Sequence, residues 1–326
     1  MANSILRDDL SRRLTISLYI DPLTTHISHV KRFLIPITLV VFPLSAEEPP
    51  PTSVRFKKIQ LLNNYISEAA PDAFDRFLDF AMASAKEKPD YVIQLGDFCH
   101  PEKNAEKLMD SWNTIPFPKY HVLGNHDMDK GTKADIQKFW GMKKRYYDFD
   151  HNGWKFIVVD MNNLKKGDQY TPYAKANFYV NGSMRSWPDP EQLQWLDQTL
   201  GKTNLPVLIY THQPFDQPDK PQHNAILDVI KKHQTDGKHP KVRAVICGHL
   251  HRDRHRQING THHICINSAS YLWKDGKPWA YADALFTFME IKNGNLTLTG
   301  KKTTYKEKPN EEKEDPAISK RSLTLS

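Results

Sequence analysis

An α/β fold, a layered sheet flanked by helices, is what this sequence predicts, and three observations predict it. Short apolar runs that each stop at Gly, Asn or His alternate with segments of helical spacing. Two Asn-Gly pairs, Asn259-Gly260 and Asn293-Gly294, sit between β-rich runs and mark hairpins. The 326 residues are 39% hydrophobic and 11% aromatic, which supplies a core for one large domain or two ordinary ones and excludes wholesale disorder.

The N-terminal part is set apart from the fold. Residues 1–30 read as an extension, with translation starting nearer Lys31. Residues 31–46 open on Lys31-Arg32, continue through about a dozen apolar positions and end in Ser45-Ala46 before Glu47. That is the order of a secretory signal peptide, and it predicts a periplasmic or secreted protein. The run is too short, and too rich in proline, for a stable membrane span. A buried N-terminal helix is the alternative. Residues 47–53 are a Pro-rich linker, and 54–303 form the folded body.

Within the body, Arg55–Gln60 is heavily charged, and Ile59, Leu62, Ile66 and Ala69 fall at helical spacing. Both features disfavour a strand buried on two faces there. Pro71–Glu87 carries Phe74, Phe77, Leu78, Ala81 and Met82 at helical spacing. Buried strands are predicted at Tyr91–Leu95, Tyr120–Leu123, Lys155–Asp160, Pro206–Tyr210, Val242–Cys247 and Thr261–Ile266. Helices are predicted at Lys133–Trp140, Pro190–Leu200 (entered through proline) and Asn224–His233. Residues 304–326 are charged and weakly apolar, so a disordered tail is expected.

A net charge of +7, spread without a dense basic run and interleaved aromatics, excludes nucleic acid as a specific partner. Three cysteines cannot form a disulfide scaffold. Cys99, Cys247 and Cys265 read as packing thiols.

The chemistry lies at the ends of the strands. Four of them run into metal-ligand residue types: Gly96-Asp97, Gly124-Asn125-His126-Asp127, Thr211-His212 and Gly248-His249-Leu250-His251. In α/β sheets, ligands bind beyond the carboxyl ends of the strands, so these turns aim at one shared site. Asp, Asn and His offer oxygen and nitrogen donors suited to first-row divalent metals.

This series resembles the calcineurin-like metallophosphoesterase superfamily over about residues 54–303. The resemblance implies a four-layer α/β/β/α sandwich, two sheets face to face with helices outside. It implies metal-dependent hydrolysis of a phosphate mono- or diester on a small molecule, through a metal-activated water. The metals would be Fe, Mn, Zn or similar, one or two per chain. Asp97 would bridge them, with Asn125, His212 and His249 holding one and His251 the other. His126 would be the general acid, and Asp127 would orient its imidazole.

The family's first motif, Asp-x-His, is not found. Near the expected place stands Leu61-Leu62-Asn63-Asn64-Tyr65-Ile66, where Asn64 and Ile66 take the positions of the ligands. The consequence is a one-metal site, a damaged segment, or substitution by His100 or by Asp21 with His26. Two rival functions arise: a weak or inactive relative with an incomplete dinuclear site, and a secreted binding protein using the aromatic loops around Tyr170–Trp187.

The remaining histidines are given structural or solvated roles. His262 and His263 sit on one strand, where at most one is expected to face inward. His223, His233 and His239 are expected in solvent. Tyr271 and Trp273 are candidates for a pocket wall. The oligomeric state cannot be read from the sequence.

Overall fold

The computed structural model describes residues 59–62, 72–234, 240–274, 276–307 and 320–325. The signal-like segment, the linker, Asp21, His26, Asn64, Ile66 and His239 lie outside them. In chain order the elements are β1 (Ile59–Leu62), α1 (Ala73–Glu87), β2 (Tyr91–Gln94), α2 (Lys103–Thr114), β3 (Lys119–His121), α3 (Lys133–Trp140), β4 (Tyr147–His151) and β5 (Trp154–Val158). Next come β6 (Asn163–Lys166), β7 (Gln169–Pro172), α4 (Pro190–Lys202), β8 (Val207–Thr211), α5 (Pro221–Lys232) and β9 (Val242–Cys247). The last are β10 (Arg254–Ile258), β11 (Thr261–Cys265), β12 (Tyr271–Lys274), β13 (Lys277–Ala280), β14 (Thr287–Lys292), β15 (Asn295–Gly300) and β16 (Arg321–Thr324).

Two six-stranded sheets carry the fold, in the orders β16-β15-β14-β1-β2-β3 and β10-β11-β9-β8-β5-β4. β1, β2 and β3 run parallel in the first, and β5, β8, β9 and β11 in the second. Alternation along the strands sorts their side chains into three apolar layers. On β5, Phe156 and Val158 enter the layer between the sheets, with Ile93, Leu95, Tyr210, Ile246 and Met289. Ile157 points the other way, to Leu196 and Leu200 of α4 and Ile226 and Ile230 of α5. On the far side of the first sheet, Phe77 and Phe80 of α1 meet Trp112 of α2 and Ile136 of α3. The layer order is therefore α/β/β/α, as expected. Burial on both faces explains why the predicted strands read as unbroken apolar runs.

Local signals account for several element ends. Thr132 and Asp135 form a reciprocal capping box on α3, which stops at Gly141 with φ 69°. Asp189 caps α4 by accepting from Gln192 N–H at 3.1 Å, with Pro190 in the first turn. Both predicted Asn-Gly hairpins form, with φ near 50° at each Asn and 81° and 72° at the glycines. Among the described residues no helix is long and apolar enough to cross a membrane.

Five expectations are corrected. Residues 59–62 are strand, because β2 pairs along one edge and β14 along the other. Two ladders of backbone hydrogen bonds override the helical spacing there. α2 was not expected, although Ala105, Leu108, Met109 and Trp112 stand at helical spacing and are buried. The tail is not disordered at 321–324. β16 pairs with β15, and Leu323 and Leu325 pack on the inter-sheet layer. His262 and His263 are both buried, since both faces of β11 are covered. His223 is buried on α5 rather than solvated.

Candidate metal centre

The parallel strands of both sheets end at one place. From the first sheet come Asp97, three residues after β2, and Asn125, four after β3; from the second come His212, directly after β8, and His249, two after β9. Tight turns release them. Asp97, His249 and His251 have φ of 51°, 68° and 53°, left-handed values that side chains other than glycine rarely adopt. Three such residues at one site mark strain held by its surroundings. Two glycines allow the close approach. A Cβ on Gly96 would stand 2.5 Å from His212 Nδ1 and 2.7 Å from Gly124 Cα, and one on Gly124 would run into the Asp97 backbone nitrogen and carboxylate.

The donor atoms of Asp97, His212 and His249 all lie within 4.8 Å of one another. His212 Nε2 is 3.1 Å from Asp97 Oδ2, 3.2 Å from Asn125 Oδ1 and 3.2 Å from His249 Nδ1. Its other nitrogen, Nδ1, donates to the carbonyl of Leu95 at 2.7 Å, which fixes the tautomer. Nε2 is left to face two oxygens and another imidazole nitrogen. A divalent cation resolves that meeting of donors, so the residues present fit a metal. Burial pushes the pKa of His249 down to about 3, with His212 adding to the shift, and that of His251 down to about 4. Both rings are thereby kept neutral and able to coordinate. Asp97 is held below the usual carboxylate range: burial opposes its charge, and the surrounding imidazoles outweigh burial. His251 lies beside this group, edge-on to Tyr271 at 4.9 Å, and its buried Nδ1 has no hydrogen-bond partner among the described residues.

The structure reassigns the carboxylate behind His126. Asp127 was expected to orient that imidazole. Instead its two oxygens accept the backbone N–H groups of Asp97, Phe98, Cys99 and Gly124, at 2.6 to 3.2 Å. It is the clasp between two donor loops. Asp129 meets His126 Nδ1 at 2.9 Å, one helical turn on, because His126–Met128 form a 3-10 turn. Burial works against a charge on His126, but Asp129 and Asp97 outweigh it and raise its pKa. Tyr179 adds a phenol oxygen 3.5 Å from the same nitrogen and is 66% exposed. His100 is not in the donor group; its Nε2 meets the carbonyl of His126 at 2.9 Å.

Two buried amides went unread in the sequence. Asn162 Nδ2 donates to the carbonyl of Leu123 at 2.8 Å, and its Oδ1 accepts from Gln213 Nε2, so one side chain ties the Asn125 loop to the His212 loop. Only the Asp129 spacing, three residues after His126, left a signal in sequence. The three cysteines are buried and free, and burial pushes the Cys99 thiol far up, as packing thiols require.

Comparison with known proteins agrees with this geometry. The chain is 27% identical over 177 residues to a probable cyclic nucleotide phosphodiesterase of Synechococcus, covering 50% of this chain and 58% of that protein. It is equally similar to a probable glycerophosphodiester phosphodiesterase of Arcobacter nitrofigilis, covering 51% and 58%. The chain thus spans somewhat over half the length of these relatives. Among solved structures, a dimetal phosphatase from Danio rerio superposes with a TM-score of 0.57 at 17% identity, over 83% of this chain and 100% of that one; at such identity it shows the fold alone. The family model of calcineurin-like phosphoesterases matches residues 65–253, more than half the chain and all of the donor loops, and the chain belongs to that family.

Proposed function

We propose that this chain is a metal-dependent phosphoric ester hydrolase acting on a phosphate mono- or diester of a small molecule. The observation that carries the proposal is the convergence of Asp97, Asn125, His212 and His249 on one point, with His126 on the same loop as Asn125. A bound Fe, Mn, Zn or similar ion would neutralise charge on the phosphoryl oxygens and make water acidic enough to attack near neutral pH. Asp97, Asn125, His212 and His249 would hold it. His126, kept protonated on Nδ1 by Asp129, would donate from Nε2 to the leaving oxygen or to the phosphoryl group. Asp127 would act through the loops it clasps.

One ion per chain is the stoichiometry this donor set supports. His251 falls outside the close group, and Asn64 and Ile66 stand where the family carries ligands. The same shortfall favours weak turnover. The signal-like residues 31–46 support export to the periplasm or beyond the cell.

The test is metal analysis and turnover on one preparation. Full-length chain loaded with Mn²⁺ should bind one equivalent and release aryl alcohol from an aryl phosphodiester, and a chelator should abolish the release. Absence of both metal and turnover would overturn the reading in favour of a binding protein on the same scaffold. Intact mass of exported protein should show residues 1–46 removed; their retention would overturn the export assignment.

A further inference from the structure

A cavity of about 600 Å³ opens beside the donor group, with Asn125 and His249 on its wall together with Arg185, His223, Gln213 and Asp216. Two oxygens on that wall lack a donor. Gln213 is 2% exposed and Asp216 3%, and Gln213 Oε1 and Asp216 Oδ1 have no hydrogen-bond partner among the described residues. Buried acceptors in this state call for a donor that a ligand can supply.

The neighbours fix which atom of each side chain is left over. Asn162 spends both amide hydrogens, on the Leu123 carbonyl at 2.8 Å and on Asp160 Oδ1 at 2.9 Å. Its Oδ1 can only accept, so Gln213 must turn Nε2 to it, and Oε1 is the atom that stays unpaired. Thr211 Oγ1 donates to the Gln213 carbonyl at 3.0 Å, which pins the turn carrying this side chain. Asp216 gives Oδ2 to Arg254 at 2.5 Å and its backbone carbonyl to Arg256 at 3.5 Å, leaving Oδ1. Charge then selects the ligand. Arg254 already neutralises Asp216, Gln213 is neutral, and Arg185 and Lys220 stand on the same wall against Asp219. Such a wall offers no net negative charge to an ammonium group, and its two oxygens are left to accept from neutral donors.

We propose that this cavity seats one alcohol arm of the phosphoester substrate, and that this alcohol is a polyol whose free hydroxyls donate to Gln213 Oε1 and Asp216 Oδ1. Hydroxyls supply the missing donors, whereas a plain alkyl arm would leave both buried oxygens unpaired, the kind of loss by which a site rejects an analogue. The assignment deepens the hydrolase reading and rests on it: the ester lies at the metal and the polyol in the cavity.

The experiment compares the nitrophenyl diesters of sorbitol phosphate, hexyl phosphate and aminohexyl phosphate on the Mn²⁺-loaded full-length chain. These share one carbon chain and differ in hydroxyls or an ammonium group. Wild type should favour the sorbitol ester over the hexyl ester by about tenfold or more in kcat/KM. Asp216→Asn keeps an oxygen for Arg254 and puts an amide N–H where Oδ1 stood, so it should bring that ratio close to one. Gln213→Met removes the other acceptor and should also lower the ratio, in which any loss of basal rate cancels. A wild-type ratio near one, or a ratio unchanged in both variants, would overturn the polyol subsite. Preference for the aminohexyl ester would overturn it in favour of a cationic arm. Separately, free sorbitol is titrated into chelator-treated full-length chain and followed by saturation-transfer NMR, where Asp216→Asn should weaken binding about tenfold. If wild type cleaves none of the esters, the hydrolase reading fails, and the sorbitol titration decides the subsite on its own: equal affinity in wild type and Asp216→Asn overturns it.

Discussion

The two sheets bring differently prepared loops to the metal centre. The loops from the first sheet are complete without a ligand. Asp127 accepts four backbone N–H groups, and the His126 N–H donates to Asp97 at 2.9 Å. The loops from the second sheet are not complete. His249 and His251 are held at positive φ, their rings are neutral, and His251 Nδ1 is buried without a partner among the described residues. One half is built by protein hydrogen bonds; the other is left for a cation to finish. The difference teaches where metal binding gains its energy. It draws together the imidazole nitrogens of His212 and His249 that face each other at 3.2 Å on the second sheet, and finds the carboxylate of the first already in position.

The strongest way to break this comparison is to separate chemistry from coordination. His126→Ala should keep its metal and lose about 10²- to 10⁴-fold in turnover, because a general acid contributes on that scale. His249→Ala should lose the metal itself. Mass-spectrometric metal analysis beside kcat decides the matter, and equal metal loss in both variants would contradict the assigned roles.

Stability of the metal-depleted chain sharpens it further. Asp127→Ala strands four amides and should lower urea-unfolding stability by about 3 kcal/mol or more. His249→Ala should change it by under about 1 kcal/mol. A reversed order would place the preformed half on the wrong sheet.

Metal should then stabilise the wild type by about 2.7 kcal/mol at a hundredfold excess over Kd, and His249→Ala by almost nothing. Thermal melts with and without Mn²⁺ read this directly. A comparable gain in His249→Ala would show that the ion sits elsewhere.

The smallest expected effect falls on His251. Replacing it by Phe removes an unpartnered buried nitrogen and keeps the ring beside Tyr271, so the metal-depleted chain should stay within about 1 kcal/mol of wild type. A loss of several kcal/mol would reveal a partner for Nδ1 and remove the contrast between the sheets.

What the sequence determined by itself is the set of groups that lie next to strand ends. Gly96-Asp97, Gly124-Asn125-His126, Thr211-His212 and Gly248-His249 were legible because a buried strand announces itself over four to six apolar residues, and the turn comes at once. The Asn-Gly hairpins were legible for the same reason: two residues set their own dihedrals. Tertiary structure decided the rest. Ile59–Leu62 became a strand only because β2 and β14 flank it, and β16 formed because β15 offered an open edge. Asp127 and Asp129 are both acidic neighbours of His126, and the 3-10 turn aimed one at three distant amides and that of Gly124, and the other at the imidazole. His223 and Arg185 lie 38 positions apart and share a cavity, which no local spacing could announce. Local dihedral preference is written in neighbouring residues, whereas hydrogen-bond partners and shared cavities depend on which segments the packed layers bring together.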